Sequence, residues 1–218
     1  MNLKLNTAFC AARWLGTKEG SREHREILEI YNGIRPLPRG YAVKQTDAWC
    51  AAFASAAAVM AGAGERYPLE CSCTRMIEGA KVMGIWVEDD GYMPVIGDWV
   101  LYNWQAKSTG DDTGVPDHVG IVVGLEMSEI LVVEGNYDNG VKLRKFPVNW
   151  DKIRGFICPK EEVEEMRYHT LAEVPYYARD TIEKLVKDGS LRGISGDDLG
   201  LTEDLLRTLV ILDRRGIL

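Results

Sequence analysis

The sequence predicts an α+β domain, with helices packed on an antiparallel sheet, followed by a small helical module. Three observations carry this. Apolar residues recur at helical spacing up to about residue 82. After Gly91 the period becomes strand-like, in short runs rich in β-branched and aromatic residues. Helices first and strands afterwards favour an antiparallel sheet over alternating parallel units.

The elements follow in order. Residues 17–32 form an amphipathic helix with Ile27, Leu28, Ile30 and Tyr31 as its apolar stripe, broken by Pro36, Pro38 and Gly40. Thr46 or Asp47 caps the next helix, which carries Cys50, Phe53, Val59 and Met60 and stops at Gly62 and Gly64. A short helix covers 74–82. Strands are expected at 97–104, 117–124, 129–136, 140–146 and 153–159. The charge run 160–166 has no core of its own, so 161–170 is read as a linker between a domain at 1–160 and a module at 171–218. In that module, Ala178, Ile182, Leu185 and Val186 share one helix face. A second helix starts at Thr202 and Asp204, buries Leu205, Leu206, Leu209, Val210 and Leu212, and ends at Gly216. The pair is too small for a large core.

Composition excludes several classes. The chain of 218 residues is 46% apolar, which argues against bulk disorder. Its net charge of −7 makes it a poor nucleic-acid binder. Residues 1–160 carry a net −2 and residues 161–218 a net −5, so the acidic excess belongs to the tail. No apolar run approaches the roughly 18–20 residues of a spanning helix. The stretch 7–12 is too short for a signal-peptide core and meets Arg13. The expectation is a protein made in the cytoplasm without a signal peptide and without membrane insertion. If it acts outside, another route releases it.

Five cysteines cannot all pair, so at least one thiol is left over. QTDAWCAAF puts Cys50 in the first turn of a helix, where the dipole favours thiolate. First-turn N–H groups lack helical partners and suit an oxyanion, with Gln45 or Asp47 as added help. The competing reading is a buried structural thiol. Of three histidines, His24 is expected on the surface of its charged helix and His169 in the linker. His118 opens the strand DHVGIVVG beside Gly120 and Gly124, which leave room for its ring. If 126–128 is a hairpin loop, 125 pairs with 129. Asn136 then lies opposite His118, with Glu134 one step diagonal on the same face. A one-residue slip would break this placement. The alternative for Glu134 is a salt bridge to Arg144 or Lys142.

Helix-borne Cys, strand-borne His and next-strand Glu and Asn match a papain-like arrangement. DAWCAAFAS (47–55), PVIGDWVLYNW (94–104), PDHVGIVVG (116–124), VVEGN (132–136) and IRGFICP (153–159) resemble the CHAP group of cysteine, histidine-dependent amidohydrolases/peptidases, relatives of the NlpC-type cell-wall peptidases. The resemblance covers about residues 10–160. Segments 71–94 and 110–120 look closest to CHAP proteins of phage and prophage lysis modules. Ile96 departs from the pattern, which has Pro before Gly.

The resemblance implies a papain-like CHAP fold, Cys50 as nucleophile, His118 as general base, and Glu134 with Asn136 as orienting pair. It implies hydrolysis of an amide bond in peptidoglycan, at the muramoyl–alanine linkage or within the stem peptide or cross-bridge, with no cofactor. Residues 171–218 resemble small helical modules behind lytic domains, which implies wall binding; a homodimer through these helices is the alternative to a monomer. Two other function classes compete: a non-catalytic wall-binding or phage structural protein, and a cytoplasmic cysteine peptidase acting on small peptides.

Three further features carry weaker signals. Cys71 and Cys73 lack the second pair that structural zinc needs, so a structural or redox role is preferred. Asp111, Asp112 and Asp117 form an acidic cluster that offers calcium ligands without EF-hand spacing. Trp49, Trp104 and Asp117 are the candidates for contact with substrate.

Overall fold

The computed structural model describes residues 2–89, 91–105, 114–160, 167–193 and 198–218. The chain divides into two compact units, Met1–Glu161 and Glu162–Leu218. Among the described residues no helix is long and apolar enough to cross a membrane.

The first unit opens on a helix that the apolar spacing did not announce, α1 (Leu3–Ala12), capped by the Asn2 side chain. Next come α2 (Arg22–Asn32), capped by Ser21, then α3 (Cys50–Met60) and α4 (Cys73–Val82). Helix α3 is apolar on every side, and both α1 and α2 pack against it. Its alanines let it lie close to the sheet. A Cβ at Gly135 would fall inside van der Waals contact of the Phe53 ring.

Among the described residues the sheet has six strands: β1 (Trp86–Val87), β2 (Trp99–Tyr102), β3 (His118–Glu126), β4 (Glu129–Tyr137), β5 (Gly140–Pro147) and β6 (Ile153–Ile157). Their spatial order is β1-β6-β2-β3-β4-β5, and every pairing is antiparallel. This is the expected α+β architecture, with β1 added at an edge. One face carries Trp99, Leu101, Val119, Ile121 and Val133 against the helices. The other face carries Val100, Tyr102, Val122, Val132 and Phe146 under Trp104 and Trp150. Both faces are therefore buried near the middle of β3.

The β3–β4 hairpin differs from the expected loop. Glu126 pairs with Glu129, so the turn has two residues instead of three. A bulge at Val123 then adds one residue to β3. The two differences cancel, and Ile121 pairs with Val133 as the expected register requires.

The second unit holds β7 (Arg167–Tyr168), α5 (Tyr176–Lys187), β8 (Leu201–Thr202) and α6 (Glu203–Arg214). β7 and β8 form a two-stranded ribbon that helical periodicity could not reveal. Val174, Ala178, Ile182, Leu199, Leu201, Leu206 and Val210 make its own small core. Thr202 caps α6 through its side chain. Leu205, placed on the apolar face by spacing, is exposed.

Candidate active site

Helix α3 begins at Cys50 itself. Trp49 occupies the cap position, and its side chain makes no capping hydrogen bond. The N–H groups of the first turn therefore have no side-chain cap and stand beside the sulfur. This corrects the expected cap. The Asp47 carboxylate instead accepts hydrogen bonds from the Lys44 N–H and the Tyr41 hydroxyl, both at 2.8 Å. Those bonds lower its pKa, so Asp47 is an ionised acceptor and has no proton to donate to an oxyanion. Gln45 is exposed in the same turn.

His118, the first residue of β3, is buried beside Cys50. Its Nε2 faces the Glu134 carboxylate at 3.4 Å, which leaves Nδ1 for the thiol. Burial pushes the His118 pKa down. Hydrogen bonding and charge from Cys50 and Glu134 outweigh it and hold the pKa up at about 9. Cys50 moves the other way. Hydrogen bonding with Cys73 lowers it most, burial opposes, and His118 and the Ala51 N–H add to the lowering. Together these shifts favour a thiolate–imidazolium pair at neutral pH.

Glu134 is fully buried and has two cationic neighbours. Arg144 Nη1 donates to both of its carboxylate oxygens, at 3.3 and 3.2 Å. The two readings of Glu134, orienter and salt-bridge partner, thus coexist in one side chain. Lys142 turns away to Asp138 at 2.7 Å. Tyr102 lies behind, where burial and the Glu134 charge keep its phenol protonated. Gly120 makes the space for this group. A Cβ there would stand 2.8 Å from Glu134 Cγ and would also press on Val132. We expect Gly120→Ala to cost about 1–3 kcal/mol by overpacking. Displacing Glu134 should also slow alkylation of Cys50 near pH 6 by about tenfold. Thermal melting and peptide-mapped iodoacetamide labelling measure the two effects; unchanged labelling would refute the role given to Gly120.

Asn136 behaves differently from Glu134. It sits in a bulge between Glu134 and Tyr137 with φ +58°, a left-handed conformation that asparagine tolerates. The bulge brings the Tyr137 ring edge-on to His118, with centroids 6.3 Å apart. The carboxylate of Glu134 is the group that lies near the imidazole, 3.4 Å from Nε2.

The aromatic candidates separate. Trp49 is a core residue, fully buried against the His24 ring, with Nε1 donating to Glu19 at 3.3 Å. His24, expected on the surface, is buried with it. Its Nδ1 accepts the Gly20 N–H, and burial lowers its pKa. The charged residues around it in sequence concealed this, because His24, Ile27, Leu28 and Tyr31 share one helix face. Trp104 is half-buried beside the site, 5.7 Å from the His118 ring and 5.4 Å from the Arg144 guanidinium. The Asp117 carboxylate accepts the Trp104 backbone N–H at 2.9 Å and so ties the chain that carries this ring to the approach to His118. Asp111 and Asp112, the calcium ligands expected together with Asp117, lie outside the described residues.

Cys73 is the member of the site that sequence spacing missed. Its sulfur lies 3.9 Å from that of Cys50. Cys71 turns instead toward Tyr31. All five cysteines are free thiols. His169, in the second unit, pairs with Asp198 at 2.8 Å.

The bacterial family described as "Uncharacterized protein conserved in bacteria (DUF2272)" matches residues 9–174, a span that contains Cys50, Cys73, His118 and Glu134. No curated protein and no solved structure matches the chain.

Proposed function

We propose that this chain, which belongs to the DUF2272 family, is a cysteine hydrolase that cleaves an amide bond of bacterial peptidoglycan. Convergence of Cys50, His118 and Glu134 at one buried point carries the reading of the chemistry. The motifs shared with CHAP enzymes carry the choice of substrate and the papain-like description of the fold.

The Cys50 thiolate attacks the amide carbonyl and forms a tetrahedral intermediate. First-turn N–H groups of α3 hold its oxyanion, with Gln45 in the preceding turn as an added donor. His118, already protonated, gives its proton to the departing amine as the C–N bond breaks. The neutral imidazole then takes a proton from water, whose oxygen attacks the thioester and releases the acid and the Cys50 thiolate. Glu134 is the orienting group of this scheme and stabilises the imidazolium; Asn136, in the bulge beside it, sets the path of the strand that brings Tyr137 to the ring. Trp104 and Asp117 border the approach to substrate. The reaction needs no cofactor, and no nucleic acid or membrane-inserted partner enters it. The second unit is read as the module that attaches the enzyme to the wall. The acidic excess of residues 161–218, a net −5, means attachment by specific contacts rather than by charge. The protein acts at the wall after release from the cytoplasm.

Purified protein incubated with peptidoglycan sacculi should release soluble fragments. Mass spectrometry of these identifies the bond: new amino termini on peptides mark an endopeptidase, and free lactyl groups on muramic acid mark the amidase. Sacculi that bind the protein and stay intact would overturn the proposal in favour of a wall-binding protein. Cleavage of free muropeptides alone would move the substrate to small peptides.

A further inference from the structure

Two helix starts meet at the Cys50 sulfur. Cys50 is the first residue of α3 and Cys73 the first residue of α4. Their sulfurs are 3.9 Å apart, and both side chains are buried. The approach to α4 is pinned to α3. Ser55 Oγ accepts the Glu70 N–H at 2.9 Å and donates to the Glu70 carbonyl at 2.8 Å. Close packing of Gly79 on Pro68 fixes the far side of α4, since a Cβ at Gly79 would stand 2.8 Å from the proline ring. Cys73 is therefore held at hydrogen-bonding distance by α3 itself.

We propose that Cys73 is a positioning residue whose thiol donates a hydrogen bond to the Cys50 sulfur and helps to hold it as the thiolate. The inference rests on Cys50 being the nucleophile. The direction of the bond follows from proton count. When His118 carries the proton from Cys50, the only hydrogen left between the two sulfurs is that of Cys73. Charge keeps it there. Asp117 lies near Cys73 and disfavours a second negative sulfur, and the Cys73 pKa is raised well above the usual thiol range by Cys50, burial and Asp117. Cys50, by contrast, has His118 and the Ala51 N–H as additional partners. The two thiols are thus not interchangeable: one is built to lose its proton and the other to keep it. The arrangement supplies by a side chain what the uncapped helix start supplies by backbone dipoles.

The test is the pH dependence of iodoacetamide labelling of the full chain, with each cysteine followed by peptide mapping. In the wild type, Cys50 should label with a midpoint well below that of a free thiol, while Cys73 stays unlabelled. In Cys73→Ala the Cys50 midpoint should rise, slowing its labelling near pH 6 by about tenfold. Cys73→Ser, which restores a donor, should recover most of the rate. Cys73→Val fills the same space without a donor and gives the same comparison if the alanine variant does not fold. A Cys50 profile in Cys73→Ala or Cys73→Val identical to that of the wild type overturns the role of Cys73 and leaves Cys50 as nucleophile. A wild-type Cys50 that labels like an ordinary thiol, or label found on Cys73 instead, overturns the nucleophile reading and this inference with it.

Discussion

Replacing Cys50 with alanine is expected to reduce release of soluble fragments from sacculi to background, a loss of at least about 10³-fold. Without the sulfur there is no covalent step, and the remaining N–H groups and His118 have no acyl intermediate to stabilise. Folding should survive. The change removes one small group at the start of α3, and its neighbours Ala51, Ala52 and Phe53 keep their places in the core. A melting temperature within a few degrees of wild type is the control. Fragment release at the wild-type rate by the alanine protein would refute the assignment, since no other group in the scheme can form the thioester.

Glu134→Ala should harm both activity and stability. The carboxylate lies between His118 and Arg144, and the Arg144 side chain is only 20% exposed. Removing it leaves Arg144 without its buried counter-charge and His118 with that of the Cys50 thiolate alone, which costs about 3–5 kcal/mol. Loss of the orienting group should lower the rate by about 10²–10⁴-fold. Glu134→Gln separates the two effects, because it keeps the shape and removes the charge.

The pH dependence has a definite sign. His118 titrates near 9 in the folded protein, above the roughly 6.5 of a free histidine. Its protonated form therefore contributes stability that is complete below about 6.5 and is lost as pH rises through 9. Wild-type activity should fall on the same alkaline side, because the leaving amine then lacks its proton donor. In Glu134→Gln the alkaline limit should move to lower pH. Titration of His118 by NMR, together with rate profiles on sacculi, measures this. An alkaline limit that stays near 9 in the glutamine variant would mean that Glu134 does not govern His118.

Much of the site was legible in the sequence, for identifiable reasons. A strand period of two put His118 and Gly120 on one face and Glu134 on its partner strand. The turn signals located the hairpin to within one residue. The register near the site came out as expected only because a bulge at Val123 cancelled a turn one residue shorter than expected. Asn136 shows the limit of such counting. A second bulge, between Glu134 and Tyr137, carries its backbone into the left-handed region and brings Tyr137 against the imidazole.

What the sequence determined by itself was local: the longer amphipathic helices and the five main strands, most of their faces, the cysteine at a helix start, and the acidic tail behind a nearly neutral domain. Tertiary structure alone decided which distant groups met. It buried Trp49 and His24 together, made Arg144 share Glu134 with His118, and set the Cys73 sulfur beside that of Cys50. Periodicity reports the direction of a side chain relative to its own element. The packing of one element on another fixes the direction that brings two of them within a hydrogen bond.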